Sequence, residues 1–122
     1  MLIDDNETDL FICKRILQMS DANKEISTFT SAEDALSFLK ASTADQLPDT
    51  IFLDINMPGM NGFVFLMEFE NLPSVVIDTC KIIVLSSSNS SIDIDAIKGN
   101  QHVLCFLTKP LSNEDLKKLQ GQ

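Results

Sequence analysis

Residues 51–62 read IFLDINMPGMNG, and the fold is decided there. Three apolar residues, Ile51, Phe52 and Leu53, run into an acid, Asp54, and the Pro58, Gly59, Asn61 and Gly62 that follow make a turn-rich loop. The pattern places a carboxylate at the carboxyl end of a buried strand. In open α/β sheets ligands bind along that edge, so the position suits chemistry better than packing. An ordinary surface turn opening with an acid would explain Asp54 alone, because Asp is common in turns. The rest of the chain separates the two readings.

Working outward, Pro48 and Asp49 break the chain ahead of this strand, and Met1-Leu2-Ile3 running into Asp4-Asp5 repeats its apolar-then-acid pattern. A first strand this short is read as lacking its first residues. Residues 7–19 form a helix with Leu10, Cys13 and Leu17 on one stripe and Ile16 beside it. Residues 25–29 read as a second strand. Ser31 then caps a second helix, with Glu33 and Asp34 in its first turn and Ala35, Leu36 and Leu39 turned inward. After Gly62 a helix spans residues 63–72 and stops at Pro73. Residues 74–80 fit no element. Ile82-Ile83-Val84-Leu85 is a fourth buried strand ending on Ser86-Ser87-Ser88, residues 92–97 are a weak helix closed by Gly99-Asn100, and residues 103–107 are a fifth buried strand leading into Thr108-Lys109-Pro110. Ser112 caps a last helix whose first turn carries Glu114 and Asp115.

Unbroken apolar strands alternating with helices imply an α/β protein, doubly wound, with a parallel sheet covered on both faces. The length of 122 residues suits one domain spanning 1–122, with no repeat or linker. Charged residues at 22% and apolar residues at 44% exclude a disordered or membrane-spanning chain, and no signal peptide opens it, so a cytoplasmic location is expected. A net charge of -9 argues against direct contact with nucleic acid or an anionic membrane and favours a divalent cation or a basic protein surface. Cys13, Cys80 and Cys105 are widely spaced among apolar neighbours and read as buried free thiols.

Four of the five expected strands end on polar groups: Asp4-Asp5, Asp54, Ser86 and Lys109. A parallel sheet brings those ends to one edge. Three carboxylates crowded together repel, and a hard divalent cation such as Mg²⁺, with oxygen ligands and retained waters, relieves the repulsion. Asp54 is the candidate nucleophile, because a carboxylate can form an acyl phosphate. Lys109 can contact a phosphoryl oxygen, and Ser86 can donate a hydrogen bond to one. Taken singly, these residues are explained as a helix cap, a turn and a solvated charge; their convergence on one edge is not.

With these residues in place, the chain resembles a receiver domain of a two-component response regulator, in the chemotaxis-regulator style. Asp4-Asp5, Asp54 with Met57-Pro58-Gly59-Met60-Asn61-Gly62, Ser86 and Lys109-Pro110 stand in that family's order and spacing from end to end. The resemblance implies a flavodoxin-like fold with strand order 2-1-3-4-5. It implies a Mg²⁺-dependent transfer of a phosphoryl group to Asp54 from a sensor histidine kinase or histidine phosphotransfer protein, with self-catalysed phosphorylation and weak autophosphatase activity. Asp5 and Asp54 would bind the metal directly, Asn56 through its backbone carbonyl and Asp4 through water. Ser86 and Phe106 would be the switch pair, and a downstream protein would read the face made by the fourth helix, fifth strand and fifth helix. A stand-alone regulator without its own DNA-binding element is the expectation.

Departures from the family pattern are local. His102-Val103 replaces the usual Gly-Ala pair before the fifth strand, Phe106 replaces the commoner Tyr, and His102 reads as an exposed loop residue. Two alternatives use similar parts. A haloacid-dehalogenase-type phosphatase also needs a strand-end Asp and Mg²⁺, but requires a second Asp two residues on, where Asn56 stands. A flavodoxin-like ligand-binding module would want a phosphate loop after the first strand, where Asp5-Asn6-Glu7-Thr8 is acidic and repels an anion.

Overall fold

The computed structural model describes residues 1–22, 25–87 and 91–120; Ser88 and the last two residues of the expected domain lie outside them. Five strands, β1 (Leu2–Ile3), β2 (Thr28–Phe29), β3 (Thr50–Leu53), β4 (Lys81–Ser86) and β5 (Val103–Thr108), pair in parallel in the order β2-β1-β3-β4-β5. Among the described residues five α-helices connect them, α1 (Glu7–Ser20), α2 (Ala32–Ala41), α3 (Gly62–Phe69), α4 (Ser74–Thr79) and α5 (Ser91–Lys98), and α6 (Asn113–Gln120) follows β5.

Alternation along the strands creates two cores. Ile3, Ile51, Leu53, Ile82 and Val84 point to one side, where they pack with Ala35 and Leu39 of α2, Phe65 and Phe69 of α3, Val76 of α4 and Ile97 of α5. Leu2, Phe52, Ile83 and Leu85 point to the other, against Leu10, Cys13 and Leu17 of α1 and Leu116 of α6. Both faces are therefore covered, as the unbroken apolar strands require. The expected doubly wound α/β fold and strand order are what the structure contains.

Several local readings are corrected. Residues 74–80, assigned to no element, hold the short helix α4, which buries Val76 and returns the chain to β4 through a Cys80 N–H donated to the Val76 carbonyl. Its Val-Val-Ile run masks helical spacing over so few residues. The second strand contracts from 25–29 to Thr28–Phe29, because β1 offers it only the two residues Leu2 and Ile3 as ladder partners. The fifth strand is a half-exposed edge rather than buried, with Leu104 48% exposed, and Cys105 is accordingly only partly covered while Cys13 and Cys80 are buried. His102 is not an exposed loop residue: its ring meets Phe69 edge-on at 5.6 Å between centroids, and Nε2 lies 3.6 Å from Glu70 Oε1.

The loop after β3 does more than turn. Ile55 and Met57 are buried in the first core, so the chain leaves the sheet edge while still anchored to it. Gly59, at φ 74°, takes the left-handed conformation that glycine adopts without a Cβ penalty. Asn61 then caps α3 by accepting the Val64 N–H at 3.0 Å.

Candidate functional site

The last ladder hydrogen bonds carry the polar residues off the ends of the strands. Asp4 N–H donates to Phe29 O at 3.0 Å, Asp54 N–H to Ile3 O at 3.0 Å, and Lys109 N–H to Ser86 O at 2.9 Å. Asp4, Asp54, Ser86 and Lys109 thus leave adjacent strands at one level. The backbone fixes their order before any side chain is considered.

The two buried acids are built alike. Asp4 Oδ1 accepts the Asn6 N–H at 3.0 Å and Asp54 Oδ1 accepts the Asn56 N–H at 3.1 Å, the same two-residue Asx turn at each strand end. Each carboxylate is left with Oδ2 facing the site, where Lys109 Nζ meets both, at 2.5 Å from Asp4 and 3.3 Å from Asp54. The Lys109–Pro110 peptide bond is cis. Side-chain exposures of 9% for Asp4, 7% for Asp54 and 15% for Lys109 keep these pairs largely out of water.

Charge balance follows from that burial. Removal from water pushes the Asp54 carboxyl above its ordinary pKa, while the Asn56 N–H and the Lys109 ammonium pull against it. Burial by itself would lower the Lys109 value, but its hydrogen bonds to Asp4 and Asp9 and the charges of Asp54 and Asp4 outweigh that and hold it above the usual range. The lysine is a fixed cation at this edge.

Asp5 stands exposed beside them, and oxygen atoms of Asp4, Asp5 and Asp54 lie within 4.8 Å of one another. An all-oxygen, carboxylate-rich set of this size fits a hard divalent cation. Asn56 reaches in two directions: its N–H holds Asp54, and its side-chain amide donates to Ser86 Oγ at 3.3 Å. Ser86 is completely buried. Phe106, opposite Val84 in the β4–β5 register, is half-buried against the first core rather than at the acidic cluster. The structure therefore gathers Asp4, Asp5, Asp54, Asn56, Ser86 and Lys109, and sets Phe106 apart.

One residue joins them unannounced by the sequence pattern. Asp9, in the first turn of α1, places Oδ2 2.8 Å from Lys109 Nζ. Its place in the first turn of α1 gives no separate sequence signal, because an acid there is already accounted for by the helix dipole. A cavity of about 260 Å³ beside the cluster is lined by Asp4, Asp9, Asp54, Lys109 and the apolar Ile12 and Leu85.

A doubly wound sheet with an acidic, lysine-bearing edge defines the flavodoxin-like signalling domains. The chain belongs to the response regulator receiver domain family, whose model matches residues 1–120. Such domains are the phosphorylation-accepting switches of two-component signalling, phosphorylated on an aspartate, and they bind a divalent metal at an acidic pocket. The response regulator Rcp1 of Synechocystis is 28% identical over 125 residues, covering 99% of this chain and 83% of that protein. A crystal structure of a response regulator receiver protein from Dyadobacter fermentans is 33% identical with a TM-score of 0.86, covering 97% of this chain and 91% of that one. The Mn(2+)-bound form of response regulator Rcp1 superimposes with a TM-score of 0.73 at 28% identity, covering 98% of this chain and 87% of that one. The dehalogenase-type and flavodoxin-type ligand-binding alternatives are not favoured.

Proposed function

We propose that Asp54 is the phosphoacceptor of this domain, served by Lys109 and Ser86, and that the phosphodonor is a histidine kinase or histidine phosphotransfer protein. The observation that carries the reading is the paired Asx geometry, which holds Asp54 and Asp4 by one oxygen each and turns the other toward a shared ammonium. An Asp54 carboxylate oxygen attacks the phosphorus of the donor phosphohistidine, the P–N bond breaks, and its electron pair remains on the imidazole nitrogen. An acyl phosphate on Asp54 results. Lys109 meets one phosphoryl oxygen as a fixed positive charge, and the Ser86 hydroxyl donates to another. Hydrolysis reverses the modification when water attacks phosphorus and the carboxylate leaves with the P–O electron pair, releasing inorganic phosphate.

Mg²⁺ is the cation proposed for this site, with Asp5 and Asp54 as direct ligands, the Asn56 carbonyl as a third and Asp4 through water. When bound it supplies charge neutralisation for a phosphoryl group arriving among carboxylates. The output is proposed to leave through Ser86 and Phe106 to the face of α5, β5 and α6. These are the expected fourth and fifth helices, renumbered because α4 intervenes. No helix among the described residues is long and apolar enough to cross a membrane, and the proposed setting is the cytoplasm.

Incubation with acetyl phosphate or phosphoramidate and Mg²⁺, followed by intact-mass analysis, is expected to add one phosphoryl group. Asp54→Asn protein labelled as well as the parent would refute the assignment.

A further inference from the structure

Lys109 Nζ is shared by three carboxylates, at 2.5 Å from Asp4, 2.8 Å from Asp9 and 3.3 Å from Asp54. An ammonium has three N–H donors, so all three are committed. The cation leans toward β1 and α1 and away from the proposed acceptor. For it to meet a phosphoryl oxygen on Asp54, one of these contacts must loosen.

Chemistry selects which. Asp4 is buried, also holds the Asn6 N–H, and would become an unpaired buried charge if released. Asp54 is the modified residue itself. Asp9 is 38% exposed, so water can replace the lysine at its carboxylate with the smallest penalty. The cavity that both side chains line leaves the lysine space to move.

We infer that Asp9 is a positioning residue that competes with the phosphoryl group for Lys109 and so biases the domain toward its unphosphorylated state. The inference rests on the assignment of Asp54 and Lys109 made above. A contact present in one state and weakened in the other shifts the equilibrium by that difference. Asp9 therefore acts through the lysine and touches no reacting atom.

The test measures beryllofluoride affinity in the presence of Mg²⁺ by fluorine NMR titration. Asp9→Asn is expected to bind about fivefold more tightly, the upper end for a part-exposed ion pair. The fold should survive, because Asp9 contributes its backbone N–H, not its side chain, to the Asn6 cap of α1. Asp9→Glu, which keeps the charge in reach of Lys109, should return near the parent affinity. Glu7→Gln, which removes an exposed first-turn acid of the same helix, should change affinity by less than about twofold. In a Lys109→Gln background the gain from Asp9→Asn should disappear. Unchanged or weaker binding by Asp9→Asn, an equal gain in Glu7→Gln, or a gain that persists without Lys109 each overturns the inference. Beryllofluoride binding that survives in Asp54→Asn would instead reject the phosphoacceptor assignment, a separate failure.

Discussion

The Asn56 side-chain amide donates to Ser86 Oγ at 3.3 Å, joining the ends of β3 and β4. The same residue donates its backbone N–H to Asp54 Oδ1. One loop residue thus contacts the proposed acceptor through its backbone and the proposed switch hydroxyl through its side chain. Because Ser86 is wholly buried, its hydroxyl has to exchange one partner for another rather than turn out to water.

Ser86→Ala is expected to accept a phosphoryl group on Asp54 and to transmit little of it. The hydrogen bond lost is charge-assisted, worth roughly 1.5–3 kcal/mol, enough to make a minor conformation a major one. Amide-shift mapping with and without beryllofluoride should give small changes over α5, β5 and α6 in the variant and large ones in the parent. A full response in Ser86→Ala would mean that the signal leaves by another route.

The buried thiols give a pH dependence with a defined sign. Burial pushes the Cys13 and Cys80 thiols up to about 11, with the charge of Asp4 adding to the rise at Cys13. A folded-state value above the unfolded one favours the protonated native protein. Their contribution to stability is thus complete below about pH 9 and is lost as the pH rises through 11, at up to roughly 1.4 kcal/mol per pH unit for each thiol. Iodoacetamide at pH 8 should label both far more slowly in native than in urea-unfolded protein. Equal rates would show these thiols to be accessible.

Asp4 and Asp5, adjacent in sequence, should behave oppositely without metal. Asp4 accepts from Asn6 N–H and Lys109 Nζ within a buried cluster, so Asp4→Ala is expected to destabilise the protein by about 1–3 kcal/mol in urea unfolding. Asp5 is exposed, and its removal should fall within about 0.5 kcal/mol of the parent. Mg²⁺ titration should reverse the ranking, with Asp5→Ala weakening binding more than Asp4→Ala. Parent-like Mg²⁺ affinity in Asp5→Ala would remove Asp5 from the proposed ligand set.

The strand ends were legible because apolar runs in a parallel sheet are unbroken and each stops abruptly at Asp4, Asp54, Ser86 or Lys109. Convergence of those residues needed only topology. Asp9 was not legible in the same way, since an acid in the first turn of a helix is already explained by the helix dipole. Only the three-dimensional position of Lys109, reached from a strand a hundred residues away, gives it a second role. Helix α4 stayed hidden because its β-branched Val75, Val76 and Ile77 suggest strand as readily as helix over six residues. The edge character of β5 was hidden for a related reason: its sequence is as apolar as that of β4, and only strand order exposes it.

Gly62 supports the site from below, and its substitution should be the most damaging of the loop glycines. The sequence marks it only as a turn residue, yet the constraint is space. A Cβ there would lie 2.5 Å from Ile55 Cα, 2.7 Å from Ile55 Cγ2 and 3.0 Å from the Asp54 carbonyl oxygen. Two of these are backbone atoms, which no rotamer change can move, and Gly62 N–H also donates to Ile55 O at 3.1 Å. Relief requires α3 to back away from the end of β3, and the turn that aims Asp54 moves with it. Gly62→Ala should destabilise the protein by about 3 kcal/mol, the upper range for overpacking, and slow phosphorylation from acetyl phosphate. Gly59 provides the contrast. Its φ of 74° strains an alanine by roughly 1–2 kcal/mol, but the nearest atom to a Cβ is the flexible Glu33 Oε1 at 3.9 Å, so the loop keeps its path. Urea unfolding of both variants should therefore rank Gly62→Ala below Gly59→Ala, with phosphorylation impaired mainly in the first. If Gly62→Ala loses less than about 1 kcal/mol, α3 can yield without cost and the close approach does not hold Asp54 in place.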